Sequence, residues 1–547
     1  MGHGAAGSTL DDSDGRCSPE PTDRYNRPAT VPVVGVVRHP TNLTTSSSST
    51  DDDANYSRKN TYISRTYTDD GPNIPYGIED SKTKRNSQIP SCWSRQVVLS
   101  LDGGDIRGLS ELYILQRIFQ AIARLERELD GATSSSCSPL LGSPNADDDA
   151  ESSQSNIAIS TEGYLPCHYF DYIGGTSMGG VSAVMLGRLR LSIDKTIEHY
   201  ENIWASVANE VSQYRQHIPG RRLRSGYTEG LRKALNNIVP KAHPASAGKT
   251  IDETFRSDAS LCRTLVLAVQ IDRENGVRRP YLFRSYTFKD RSATAVNRNK
   301  TSETEGTPLH AVCRATSAAP NYFQSVIIDK KKFRDGSIWM ANPSMELYRE
   351  VHSMHPDHPS PIYCLLSIGC GKQKRSRYLP NISMRAASLY NWEQQQVDDV
   401  LTARKSQGED FDYVRFLGPA DLADPKPSDW RQDGTRRKTV ERIRISTARY
   451  CDNPGVSAQI DATARQLVQY RRQRARTAHW ERFALGITYK CVWCAETGGQ
   501  GELNDRDDVI DHVQSKHKDL PGIDSHFFGE YRRILEDFRV KVVDSAS

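Results

Sequence analysis

Apolar and polar positions divide the chain near residue 94. Residues 1–93 are rich in Ser, Thr, Asp, Pro and Asn around "TTSSSSTDDD". Such a stretch cannot bury enough apolar surface to offset its ordering entropy, which predicts disorder. From Val97 the character changes. "VVLSL" reads as a short strand, followed by the glycine turn "DGGDIRG" and a helix of about 20 residues. In that helix Leu112, Leu115, Phe119, Ile122 and Leu125 mark one face, with Arg117, Arg124 and Glu128 largely opposite. A second polar stretch, 131–156, reads as a disordered, solvated insertion because core elements resume beyond it.

"HYFDYIGGTSMGGVSAVMLGRLRL" follows as strand, tight turn and helix. Strand-like runs occur at 264–269, 281–286, 325–330 and 362–369, with helical patterns between them at "DKTIEHYENIWASVA" and "NPSMELYREVHSM". This alternation predicts an α/β fold with a mostly parallel central sheet. Residues 431–485 form a helical, Arg-rich extension ending in "QLVQYRRQRARTAHWERFA", and 521–547 a C-terminal helix and tail.

Composition narrows the function classes. Hydrophobic residues are 37% and charged residues 26% of the 547, and the net charge is only +4. That balance fits a soluble protein and gives no reason to invoke nucleic acid. No run approaches the roughly 18–20 apolar residues of a transmembrane helix. "MGHGAAGSTLDDSDG" lacks a secretory apolar core, Ala6 stands where myristoylation wants Ser or Thr, and "VVDSAS" has no prenylation cysteine. Membrane contact is therefore expected to be peripheral, with an intracellular location, cytoplasmic or on a membrane surface. The 11 scattered cysteines read as reduced thiols. Oligomeric state is not encoded.

Three local motifs carry chemistry. Gly175-Thr176-Ser177-Met178-Gly179 is a GxSxG pattern between an apolar strand and a helix. A nucleophile on so sharp a turn needs glycines beside it, and the helix start favours negative charge developing there. Asp102-Gly103-Gly104-Asp105-Ile106-Arg107-Gly108 also follows a strand and opens a helix, and amides in such a turn can converge on an oxyanion. It matches no GxGxxG. The "AGKT" at 247–250 is no P-loop either, since His243 occupies the place of the first glycine. Asp335-Gly336-Ser337 would alone be a turn.

Together, in this order and separation, the three blocks resemble the patatin-like phospholipase family, in particular its fungal-type members. "FDYIGGTSMGG", "LGRLRLSIDKTIEHY", "RATSAAPNYF" and "LLSIGCG" are similar to segments found there, and the resemblance covers roughly 95–420 within a domain at 94–430. It implies a three-layer α/β fold and a lipid acyl hydrolase of phospholipase A or lysophospholipase type. It further implies a Ser–Asp dyad that needs no cofactor. Ser177 would be the nucleophile and Asp335 the base, with the amides of Gly103, Gly104 and Met178 forming the oxyanion hole. A carboxylate can accept the serine proton. The rival is a triad using His352, His355 or His358, which follow the acid in chain order but lie in a helix end and Pro-rich loop.

Two positions depart from the family pattern. Asp105 replaces the third glycine of the turn. A carboxylate about 5 Å from a developing oxyanion would cost ~3 kcal/mol at an effective dielectric near 20, on the order of a hundredfold in rate. Ala341-Asn342-Pro343 stands where the family reads Asn-Asn-Pro. Both raise the alternative of a catalytically weakened domain serving as a lipid-binding or protein-interaction scaffold.

Cys491 and Cys494, followed by His512 and His517, resemble a two-Cys, two-His zinc finger at 486–520, although the 17-residue spacer is longer than the common 12. A structural zinc is expected there. The upstream basic helix has two readings. Arg471, Arg472, Arg474 and Arg476 touch anionic headgroups, or the helix is solvated with Leu467, Tyr470 and Trp480 packed on the domain.

Overall fold

The computed structural model describes residues 92–131, 133–138, 161–214, 220–242, 254–272, 276–288, 306–320, 322–371, 380–422, 435–496, 501–517 and 534–541. The expected disorder of residues 1–91, most of the insertion and the AGKT segment lie outside them. Chain contacts separate a unit at 1–85 from one at 86–547, and everything below belongs to the second.

The first strand, β1 (Gln96–Leu101), is buried along its whole length, as a central parallel strand covered on both faces must be. Helix α1 (Leu109–Asp130) buries Leu112, Leu115, Phe119 and Ile122 while Arg117, Arg124 and Glu128 face solvent. Gly131 ends it in the left-handed conformation. Next come β2 (Tyr172–Thr176), α2 (Ser177–Ala183), α3 (Ile193–Tyr214), α4 (Gly220–Ala242), β3 (Arg263–Ile271) and β4 (Arg278–Arg284). They are followed by α5 (Leu309–Thr316), β5 (Val326–Ile328), β6 (Lys331–Asp335), α6 (Ser344–Met354), β7 (Ile362–Ile368), α7 (Pro380–Ser406) and β8 (Asp412–Phe416).

The sheet runs β5-β6-β3-β2-β1-β7-β8, with β4 on the second edge of β3. Strands β3, β2, β1, β7 and β8 are mutually parallel, and β4, β5 and β6 are antiparallel to their neighbours. Alternate strand residues feed two cores. Val97, Leu99, Leu101, Ile173, Val266 and Leu366 pack with α1, α3 and α5, whereas Val98, Leu265, Leu267 and Leu365 pack with Leu347 and Val351 of α6 and Leu401 of α7. This is a three-layer α/β fold.

Three features differ from the sequence reading. The run at 325–330 is half of a hairpin. Asp329 and Lys330 take positive φ values of 47° and 63°, a two-residue turn that sends β6 back along β5. Strand β8, "DYVRF", carries no alternating apolar signal. The start of the expected insertion is packed, not solvated. Ser135 bonds His168 Nδ1 at 2.8 Å and Ser138 bonds Ala475 O at 2.6 Å.

Helices α8 (Thr435–Cys451) and α9 (Pro454–Arg474) lie on α1. Leu467, Tyr470 and Trp480 are buried as expected, but the arginines are not uniformly solvated. Arg471 reaches the buried Glu126 at 2.9 Å, Arg472 the same carboxylate at 3.1 Å, and Arg474 grips Asp171 at 2.8 and 2.9 Å. Arg471 and Arg474 are therefore structural ion pairs and cannot face headgroups. Only Arg476 is exposed among the four.

A small module follows, comprising β9 (Ile487–Lys490), α10 (Val492–Glu496), β10 (Glu502–Leu503), α11 (Arg506–Lys516) and β11 (Arg539–Lys541). Strand β9 lies between β10 and β11, both antiparallel to it, over a core of Ile487, Tyr489, Val509, Val513 and Phe538. The module thus recruits part of the tail beyond 520. Glu481 ties it to the preceding turn through Arg506 at 2.8 Å.

Candidate active site

Strand β3 brings Ser177 and Asp335 together. Its edge opposite β4 is shared: parallel β2 pairs with it up to Thr176 opposite Leu267, and antiparallel β6 takes over with Asp335 opposite Ala268. The two strands meet end to end, so the residue after β2 and the last of β6 become neighbours despite a separation of 158 positions. Gly336 permits the junction, because a Cβ there would lie 2.4 Å from Thr176 Oγ1 and 2.5 Å from Leu267 O.

At this junction Ser177 Oγ donates to Asp335 Oδ2 at 2.8 Å. Ser177 holds a φ of +55°, a strained conformation for a side-chain-bearing residue, as a nucleophile-type elbow requires. Gly175 and Gly179 allow the bend, since a Cβ on Gly175 would stand 2.4 Å from Gly179 backbone atoms. The other Asp335 oxygen accepts the Ser337 amide at 2.8 Å. Asp335 is 1% exposed, and burial, opposed by the bonds from Ser337 and Ser177 and reinforced by the charge of Asp105, pushes its carboxyl up to about 7.

The first glycine turn packs on this elbow. A Cβ on Gly103 would fall 2.5 Å from Thr176 O, 2.8 Å from Gly179 N and 3.1 Å from Met178 N. Gly103, Gly104 and Asp105 take φ values of 85°, 128° and 53° in succession. The Gly103 amide hydrogen-bonds the buried carboxyl of Glu111, which burial holds well above the usual carboxylate range. Asp105 lies within electrostatic reach of Asp335, and its carbonyl accepts the Tyr200 hydroxyl. Gly108 makes room for that tyrosine, as a Cβ would meet Tyr200 Oη at 2.3 Å. Arg107 is buried and donates to Gly371 O at 3.4 Å.

The histidines of the rival triad lie elsewhere. His355 contacts Tyr172 Oη at 3.3 Å, at the start of β2, about 16 Å of strand away from Ser177. His352 packs at a tilt against the Tyr348 ring, and His358 accepts the Ser360 amide. Asn342 is buried, donating to Asp398 at 3.0 Å and accepting from Ser344 N at 3.1 Å, with Ala341 buried beside it.

The residue range 99–348 matches the family model for patatin-like phospholipases. This chain carries a patatin-like phospholipase domain. Relatives agree at low identity. Phospholipase A I of Arabidopsis thaliana is 23% identical over 387 residues, covering 61% of this chain and 25% of that protein. Calcium-independent phospholipase A2-gamma of Rattus norvegicus is 24% identical over 263 residues, 47% of this chain and 30% of that protein. The chain thus spans under a third of the length of either relative. VipD from Legionella pneumophila shares 13% identity over 66% of this chain and 67% of that one, with a TM-score of 0.26, too low to bear on the fold. The matched range of the patatin-like domain ends before β7, α7 and β8, although these complete its sheet and one covering layer.

Sequence reasoning missed the groups behind the glycine turn. Arg415 of β8 reaches both oxygens of Asp102, at 2.9 and 2.5 Å, and Gln394 of α7 donates to the same carboxylate at 2.7 Å. Tyr200 and Glu111 complete that surround. None sits in a glycine turn, so no local signal marks them.

In the small module the ligand-capable atoms of Cys491, Cys494, His512 and His517 lie within 4.8 Å of one another. Three Sγ···Nε2 separations are 3.3 Å, close to the ~3.6 Å sulfur–nitrogen edge expected of tetrahedral zinc ligation. The Cys494 amide donates to Cys491 Sγ at 3.4 Å. These residues fit a metal. None of the ten described cysteines is in a disulfide.

Proposed function

We propose that this chain is a serine lipid acyl hydrolase working by a Ser177–Asp335 dyad on a phospholipid or lysophospholipid ester. The observation that supports it most is the buried 2.8 Å contact from Ser177 Oγ to Asp335 Oδ2 beside the glycine turn. Asp335 takes the hydroxyl proton as Oγ attacks the ester carbonyl carbon. The oxyanion is met by the amides of Gly104 and Met178, while Gly103, whose amide is directed to Glu111, supplies the close approach of the two turns. Collapse transfers the proton from Asp335 to the leaving alkoxide and leaves an acyl group on Ser177. Water, deprotonated by Asp335, then releases the carboxylic acid. A base with its pKa near neutrality suits both steps.

A fluorophosphonate ester tests this reading. Stoichiometric labelling of Ser177, lost in Ser177→Ala and strongly slowed in Asp335→Asn, is the expected result. Absence of labelling with retained binding to phospholipid vesicles would instead support the weakened scaffold, which the nearby Asp105 carboxylate favours.

Peripheral membrane contact fits a different surface from the basic helix. Trp339, four residues beyond Asp335, is 40% exposed, and Trp392 of α7, next to the Glu393 that accepts the Asn342 amide, is 61% exposed. Indole rings favour the headgroup region. Among the described residues no helix is long and apolar enough to cross a membrane. In the module, Cys491, Cys494, His512 and His517 would hold a structural zinc ion that joins β9 to α11.

A further inference from the structure

The glycine turn holds itself by one backbone bond, from Arg107 N to Gly104 O at 3.0 Å. Gly103, Gly104 and Asp105 run through three consecutive positive φ angles between the end of β1 and the single 3-10 turn that Asp105 opens. Besides the bond between the Gly103 amide and Glu111, its geometry is fixed from outside at two further points. On the far side, Tyr200 Oη donates to the carbonyl of Asp105. On the near side, Asp102 is fully buried and held by three hydrogen bonds, two from Arg415 and one from Gln394. Gly369 makes room for this clamp, because a Cβ there would sit 2.8 Å from Asp102 Oδ2 and 2.9 Å from Arg415 Nη2.

We infer that Arg415 is a positioning residue for the oxyanion turn, setting the direction of the Gly104 amide through its two-pronged grip on Asp102, with Gln394 as second support. The inference rests on the hydrolase reading above and extends it to β8 and α7, beyond the range matched by the family model. The guanidinium suits the task because its planar fork fixes a carboxylate in orientation as well as distance, which a lysine ammonium does not. Arg415 also donates to Ser367 at 2.7 Å, so the fork is itself oriented. Burial drives the Asp102 carboxyl up to about 6 against the pull of Arg415, so the arginine keeps that anchor ionised.

The structure offers an internal control. Arg474 and Asp171 form an equally buried two-pronged pair at 2.8 and 2.9 Å, but Asp171 lies just before β2, at the opposite end of the strand from Ser177. The test compares Arg415→Lys, Gln394→Ala and Arg474→Lys in the full chain with p-nitrophenyl butyrate, well below each melting temperature, alongside Ser177→Ala. A misplaced donor costs on the order of a hundredfold. Arg415→Lys should lose about that in kcat with KM within about twofold, and its fluorophosphonate labelling rate should fall in proportion. Gln394→Ala should show a smaller loss of the same kind. Arg474→Lys should melt lower yet keep its kcat. Unchanged kcat in folded Arg415→Lys, or in Gln394→Ala should the arginine variant not fold, overturns the inference, as does an equal loss in Arg474→Lys. Turnover that survives Ser177→Ala would instead overturn the hydrolase reading, an outcome distinct from all of these.

Discussion

Acid should silence the proposed hydrolase near neutrality, far above the range where an ordinary aspartate titrates. Asp335 must be ionised to accept the Ser177 proton, yet burial lifts its carboxyl up to about 7. About 90% would be ionised at pH 8, about 10% at pH 6 and about 1% at pH 5, so kcat/KM should fall roughly tenfold per unit below pH 7. Asp105 contributes to the lift, so Asp105→Asn should move the limb to lower pH. The stability consequence has the opposite sense. The folded state holds this proton more tightly than the unfolded chain, so the contribution is complete below the ordinary value of 3.8 and is lost as pH rises through about 7. Asp335→Asn, inactive, should therefore be more stable than the parent at pH 8, by up to ~4 kcal/mol. The assay is kcat/KM for a soluble nitrophenyl ester from pH 5 to 9, paired with denaturant melts of both proteins. A limb centred near pH 4, or an Asn variant that is less stable at pH 8, would refute the reasoning.

Other consequences are equally direct. Gly103→Ala should abolish labelling of Ser177 while the chain still folds, because its Cβ would meet the backbone of Thr176 and Gly179, and that contact can be relieved only by moving the turn. Arg474→Met should cost about 3–5 kcal/mol in denaturant melts by stranding the buried Asp171, whereas Arg476→Ala should stay within about 0.5. Metal analysis should find one zinc per chain, lost in Cys491→Ser. Chelation should alter the fluorescence of Trp493, whose ring lies 5.0 Å from that of His517. Replacing Trp339 and Trp392 with Ala should weaken sedimentation with phosphatidylcholine vesicles and leave turnover of a soluble ester intact.

How much of this was legible in the sequence depended on whether the signal was local. Strand β1 and helix α1 announce themselves because burial on both faces or on one stripe dictates residue type within a few positions. The Ser177 elbow and the Asp335 turn each carry their glycines beside them, for steric reasons visible within five residues. Their meeting is not local. It arises because β3 is long enough to template two strands on one edge, and the sequence pattern shows only the first half of the hairpin that delivers β6, as the run at 325–330. Arg471 and Arg474 looked solvated because their partners, Glu126 and Asp171, lie 345 and 303 positions away. Strand β8 was invisible for a similar reason, as its Arg415 is buried by a carboxylate that only the fold supplies.

In the proposed mechanism an acyl group resides transiently on Ser177, and Asp335 both loads and removes it. Rapid acid quenching of the full chain during turnover of p-nitrophenyl butyrate, followed by peptide mass analysis, tests it most directly. One butyryl group should appear on the peptide containing Ser177, accumulating in a burst and absent from Ser177→Ala. Turnover without any acylated Ser177 peptide, or with the acyl group on another residue, would contradict it.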